Sequence, residues 1–284
     1  MVDVNSKKIN FKSYKKDTKH NQMTMAEGFF LTLPSNSSML QYPENCNSHF
    51  ITYLPETYDL TNNDEYEVGL CELIVPNTIT NILKGTARLQ FKKSKNEKVC
   101  ILELKEGLYD TPVTLIDKLN EMIHSVYPNN ERNKIKKVEF TYCIPTKIAK
   151  LKLYNTTATM ELSPTLQRIL QMPPGEITSD VESSGPVDIH EEGNSLYVYS
   201  DLAVSRQIGD MQAPLLRVIP LSYSGNFTHR IYIKPHYIPL SRKVFNTVEI
   251  DIRTDKGKVP SFMQKSSQRT VVTLHVRARK ILKS

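Results

Sequence analysis

An all-β chain with a small α+β insertion, folded as a single jelly-roll β-sandwich, is what the sequence predicts, and three observations carry it. Short segments dense in Tyr, Val, Ile and Leu recur, each closed by Pro, Gly, Asn or Asp, the way strands separated by turns read. One of them, Thr247 to Arg253, alternates Val248, Ile250 and Ile252 with Glu249, Asp251 and Arg253, so it presents one face to a core and the other to water. Between two groups of such segments the apolar period changes from two to that of a helix, which makes the sandwich interrupted. A length of 284 residues suits one large all-β domain with an insertion and is too short for two eight-stranded jelly rolls with ordinary connections.

Residues 1–25 show no periodicity and carry Lys7, Lys8, Lys12, Lys15, Lys16 and Lys19 among few large apolar side chains, which reads as a flexible basic arm. Residues 26–106 hold the first jelly-roll strands. Phe29 to Leu33 is closed by Pro34, Phe50 to Leu54 runs up to Pro55, and Tyr66 to Val75 is ended by Pro76, which cannot donate to a central ladder. Arg88 to Phe91 and Val99 to Leu104 follow, divided by a polar connector of hairpin length at residues 93–98. Residues 107–172 form the insertion. Thr111 is placed to cap a helix, Pro112 suits its first position, and Leu115, Ile116, Leu119, Met122 and Ile123 recur at helical spacing to about His124. Val138 to Cys143 and Lys147 to Tyr154 read as a hairpin. Ser163 and Pro164 then open a second helix with Leu166, Ile169 and Leu170 as its buried stripe.

Residues 173–194 carry Glu176, Asp180, Glu182, Asp188, Glu191 and Glu192 with no Lys or Arg, and read as a long exposed acidic loop. Residues 195–284 hold the remaining strands, Leu196 to Ser200, Leu215 to Ile219, Arg230 to Lys234, Thr247 to Arg253 and Val271 to Val276. Arg277, Arg279, Lys280 and Lys283 finish the chain as a basic tail.

A net charge of +7 and a pI near 9.0 invite an acidic partner, most obviously nucleic acid. The six lysines of the arm are the candidates for such a contact, against the alternative of a solvated leader. The groups Lys92 to Lys98 and Arg132 to Lys137 flank strands at turns and read as solubilising surface. The longest apolar runs fall far short of the ~20 residues that span a membrane, and the lysine-rich start lacks the apolar core of a secretion signal. The expectation is a chain without a membrane span, made inside the cell. Cys46, Cys71, Cys100 and Cys143 lack paired spacing and sit beside apolar segments, which predicts free, buried thiols.

The patterns that carry chemistry are missing. With ten glycines there is neither GxGxxG nor GxxxxGK[ST], and no GxSxG or HExxH occurs. Cys46 and His49 have a spacing zinc ligands use, but no second Cys/His pair lies close in sequence. Glu249 and Asp251 share a strand face with Arg253, the ordinary polar side of a sheet, and His229, His236 and His275 fall in or beside strands as structural histidines. Asn36, Asn155 and Asn226 begin sequons that stay unmodified without a secretion signal. No enzyme, cofactor or metal is expected.

Leu196 to Val218 and His236 to Arg253 resemble the C-terminal half of the minor capsid proteins, or pentons, of Polinton/Maverick elements and related virophage-like viruses. Phe29 to Ser38, Asn47 to Pro55 and Glu65 to Pro76 resemble that family's opening strands. Tyr66 stands where the family often has Trp, and Gln171, Met172 and Pro173 where it often has an aromatic in a Gly-containing phrase. The resemblance implies a structural virion protein that forms homopentamers at the vertices of an icosahedral capsid. Its implied neighbour is a double jelly-roll major capsid protein, with packaged DNA a further partner through the arm. The alternative from another class is a monomeric β-sandwich module that binds glycans or nucleic acid. Solution mass separates the two.

Overall fold

The computed structural model describes residues 28–61, 65–92, 98–126, 138–154, 157–190, 193–221, 225–262 and 267–279. The chain opens with β1 (Phe29–Pro34), β2 (His49–Asp59) and β3 (Tyr66–Pro76). Its middle holds β4 (Arg88–Lys92), β5 (Cys100–Glu103), α1 (Pro112–Val126), β6 (Val138–Cys143), β7 (Ile148–Leu153), β8 (Thr159–Leu162), α2 (Pro164–Leu170), β9 (Glu176–Ile177) and β10 (Val181–Glu182). The last third supplies β11 (Ser195–Ser200), β12 (Arg206–Ile208), β13 (Met211–Ala213), β14 (Leu215–Pro220), β15 (Phe227–Ile231), β16 (Ile238–Pro239), β17 (Val244–Thr254) and β18 (Val271–Ala278).

Two antiparallel sheets make the sandwich. One runs β1-β18-β3-β15, with β16 also on β3, and the other runs β14-β11-β17-β2. Following the chain, β1, β2, β3 and β11 alternate between the sheets, β11 and β14 stay together, and β15, β17 and β18 alternate again. That is the eight-strand, double Greek-key order of a jelly roll, the fold class the sequence predicts. Its core is filled from both inner faces, by Leu31, Leu33, Leu73, Val272, Leu274 and Val276 of the first sheet and Phe50, Leu196, Val198, Val248, Ile250 and Ile252 of the second.

Two strands, β2 and β15, depart from their expected bounds, and β3 keeps its bounds but carries a bulge, each for a local reason. In β3 the buried positions are Tyr66, Val68 and Leu70, then Leu73 and Val75, so the phase changes at Cys71. The register against β18 shifts there, Leu70 facing Leu274 and Glu72 facing Thr273, and the bulge keeps both halves of the strand pointing inward. β2 runs past Pro55 to Asp59, because it is an edge strand and the ladder to β17 is irregular between Phe245 and Thr247, where a missing N–H costs little. β15 spans Phe227–Ile231 and not Arg230 to Lys234. It begins after the turn at Gly225, whose φ is 79°, and its pairing with β3 ends at Ile231 opposite Glu72, which leaves Ile233 in the following turn, 93% exposed.

The middle of the chain has its own core, from Ile82 to Ile189. β4 and β5, expected among the jelly-roll strands, pair with each other and through β8 with β9, so they lie in this second unit. Periodicity reports which face of a strand is buried but not which sheet it joins. A second sheet, β10-β7-β6, carries α1, which Thr111 starts by accepting the Thr114 N–H at 3.1 Å. Asn120 of α1 clamps β6, its Oδ1 accepting the Phe140 N–H and its Nδ2 donating to the Phe140 carbonyl, both at 2.8 Å. Ser163 caps α2, and Gln171 ends it in the left-handed region at φ 53°.

Residues 173–190, read as an exposed loop, instead contribute β9, β10 and the buried Val187 and Ile189. Their carboxylates face the insertion's own donors: Glu176 accepts from Thr159, Asp180 from the Leu153 N–H, and Glu182 pairs with Lys150. Among the described residues no helix is long and apolar enough to cross a membrane.

Candidate assembly surface

The strand registers sort the connections onto two ends. Pro34, Val271 and Pro76 mark one end of the first sheet, and His49, Thr254, Ser195 and Pro220 the matching end of the second. The insertion leaves and returns at that end through a neck held by Asn81. Its Nδ2 donates to the carbonyls of Tyr109 at 2.8 Å and Ile189 at 3.0 Å, and its Oδ1 accepts the Tyr109 N–H. The opposite end carries the β2–β3, β11–β14 and β15–β17 connections together with Gly28 and Ala278.

An exposed apolar surface lies on the outer face of the first sheet, towards the end away from the insertion. Phe30, Ile231 and Ile233 are 64%, 66% and 93% exposed around a cavity shared with Cys71, Tyr237 and His275. The side chains beneath are preorganised. Phe30 stacks on His275 with centroids 4.5 Å apart, Tyr237 Oη lies 2.8 Å from His275 Nδ1, and the Arg277 guanidinium sits 3.4 Å above the Tyr237 ring. Gly69 is required where this loop crosses β3, because a Cβ there would meet Pro235 Cβ at 2.9 Å. Large apolar side chains standing out of a rigid polar frame are what a protein contact uses.

The outer face of the second sheet is built from charge. Its groove, about 450 Å³, is lined by Tyr199, Asp201, Met211, Glu249, Asp251 and Arg253, with the β12–β13 hairpin along one side. Asp201 is the group sequence reading missed. Its carboxylate accepts the Glu249 N–H at 2.9 Å and holds Arg242, whose Nη2 also donates to the Thr247 carbonyl at 2.7 Å. Burial pushes this carboxyl above the ordinary aspartate range, against the pull of the Glu249 N–H and Arg242.

A carboxyl with a higher pKa folded than unfolded takes up protons on folding, so its contribution falls as pH rises through the window between the two values. Asp201→Asn is therefore expected to gain on the wild type in urea-unfolding stability from about pH 4 upward. A difference that does not change with pH would mean the partners fully offset burial.

The other candidate residues separate. Lys7, Lys8, Lys12, Lys15, Lys16 and Lys19 lie outside the described residues, as do residues 93–97 and 131–137. Lys92 faces Glu176 at 3.8 Å. Cys46 Sγ sits 3.3 Å from Ser48 Oγ and His49 turns to Glu249 at 3.1 Å, so the two do not converge. Asp251 binds Arg253 at 2.9 Å, and His229 pairs with Glu72 at 2.8 Å. The thiols are not buried as expected: Cys46 and Cys143 are exposed and Cys71 and Cys100 partly so. Among the described residues no group of three or more His, Cys, Asp and Glu could hold a metal ion.

No protein-family model matches the chain, and no curated protein matches it. Among solved structures it is similar to the mavirus penton protein, with a TM-score of 0.46 and 9% identity over 88% of this chain and 99% of that one.

Proposed function

We propose that this chain is a minor capsid protein of the penton type, five copies of which close a vertex of an icosahedral shell beside a double jelly-roll major capsid protein. One observation carries the reading: every segment whose sequence resembles the Polinton/Maverick pentons lies on the jelly roll. Phe29 to Ser38 contains β1, Asn47 to Pro55 enters β2, Glu65 to Pro76 contains β3, Leu196 to Val218 spans β11 to β14, and His236 to Arg253 spans β16 and β17. None falls between Ile82 and Ile189. In this reading the sandwich is the tile and the insertion is a separate unit on one end of it.

A closed ring of more than two copies needs heterologous contacts, one side of a protomer against a different side of the next. The two outer faces supply unlike surfaces, one apolar around Phe30 and Ile233, the other charged around Asp201 and Asp251. Lys7, Lys8, Lys12, Lys15, Lys16 and Lys19 are proposed to meet packaged DNA inside the virion, without a catalytic role for the chain. Native mass spectrometry of the purified protein is expected to show five chains, at high concentration or with the major capsid protein added. A monomer under all of these conditions would overturn the reading in favour of a single-copy binding module.

A further inference from the structure

The two outer faces match one another in shape, charge and level. On the first sheet the chain that follows β15 crosses β3 as a knob with Ile233 at its tip. Both flanks of the knob are tied down: the Tyr232 N–H donates to the Cys71 carbonyl at 2.7 Å with the Arg217 guanidinium 3.6 Å above the Tyr232 ring, and Pro235 packs over Gly69. The tip itself stands almost wholly in solvent, beside the exposed Ile231 and Phe30. A large aliphatic side chain held out on anchored backbone loses little freedom when a partner covers it. On the second sheet the groove of about 450 Å³ is the concave counterpart, lined by Tyr199 and by the exposed Met211 of the β12–β13 hairpin. Met and Tyr are side chains that interface cores favour.

Charge runs the opposite way on the two surfaces. The knob holds the exposed Lys234 and no carboxylate from Ile231 to Ile238, and the carboxylates of β3, Glu67 and Glu72, are occupied by Arg277 at 2.6 Å and His229 at 2.8 Å. The groove sets Asp201, Glu249 and Asp251 against two guanidiniums, Arg242 and Arg253, and the imidazole of His49. Asp210 is exposed at the tip of the hairpin beside it, which leaves the groove negative where the knob is positive.

The two patches also sit at one level. Counted from the insertion end, Thr273 and His275 of the first patch are the third and fifth residues of β18, and Asp251 and Glu249 of the second are the fourth and sixth of β17. A rotation about an axis along the strands therefore brings the knob of one copy to the groove of the next without a rise, which closes a ring and does not extend a filament. No lining residue of either patch comes from the insertion.

We propose that the Ile233 knob of one protomer seats in the Met211 groove of the next, with Lys234 against the groove's carboxylates, and that this contact is the one repeated around the axis. The proposal rests on the ring proposed above and assigns the two halves of its interface.

The test breaks one half at a time. Ile233→Asp and Met211→Asp change exposed positions, so the urea unfolding of each is expected to match the wild type. Each is expected to raise the concentration at which native mass spectrometry shows the ring by at least about tenfold. Mixed in equal amounts, the two variants are expected to form heterodimers and go no further, because the mixture holds one intact knob and one intact groove per pair. A ring formed by Ile233→Asp as readily as by the wild type overturns the proposal and leaves the ring standing. If that variant instead loses only its incorporation beside the major capsid protein, the knob belongs to that partner and the proposal falls.

The contact is also read without a ring. In a chain whose four native cysteines are replaced by Ser, Ile233→Cys and Met211→Cys are placed in separate copies and treated with a short bismaleimide at high protein concentration. Covalent dimers are expected from the mixture and from neither variant alone. Dimers from Ile233→Cys alone, which would set knob against knob, or none from the mixture, would overturn the proposal whether or not five chains assemble.

Discussion

Ile250→Asp is expected to abolish soluble, folded protein, while Asp251→Asn leaves yield and stability close to wild type. Ile250 is fully buried in β17, which has β11 on one side and β2 on the other. It stands opposite Ser200 and Phe50, so a carboxylate there meets an apolar interior without a counter-charge. The substitution forfeits about 1.5–3 kcal/mol of aliphatic burial and adds the several kcal/mol of an unpaired polar group. That total rivals the roughly 5–15 kcal/mol that holds a domain together. Asp251 points outward to Arg253, and a partly exposed pair of this kind is worth about 0–1 kcal/mol. Soluble yield and urea unfolding check both; equal losses would mean the charged face of β17 is the one that packs.

β17 and β18 were readable from their alternating stretches, Val248, Ile250 and Ile252 in one and Val272, Leu274 and Val276 in the other, although β17 changes phase between Phe245 and Val248. The two helices were readable from Thr111–Pro112 and Ser163–Pro164, whose capping chemistry is local. What escaped is what depends on distant partners. Cys71 is an extra residue only in relation to β18, and Pro55 is tolerated only because β2 has a neighbour on one side. β4 and β5 looked like the strands before them and differ only in what they pair with.

The β12–β13 hairpin left a local trace that sequence reading passed over. Gly209 and Asp210 form a two-residue turn between Ile208 and Met211, with Gly209 at φ 59°. Asp201 left none, since its environment comes from Glu249 and Arg242, more than forty positions away for both. The apolar groove of the first sheet was equally hidden: Phe30 and His275 belong to opposite ends of the chain, and only the β1–β18 register stacks them.

The division into two cores carries the other large effect. Leu151 is fully buried at the centre of the β10-β7-β6 sheet, opposite Val181 and Phe140, as Ile250 is in the sandwich. Leu151→Asp should therefore remove a comparable several kcal/mol, but from the second core alone. Ile79 is the last residue of the sandwich cluster before the insertion and Ile82 the first of the other, with Asn81 between them tying Tyr109 and Ile189. So short a polar neck transmits little packing energy, and the sandwich strands find their partners within their own two sheets. In hydrogen exchange, residues 82–189 of the variant are expected to lose protection while β3, β17 and β18 keep theirs, since local opening follows cooperative units and not chain order. Loss of protection throughout the chain would mean that the jelly roll cannot stand without its insertion, and that the neck is part of one cooperative core.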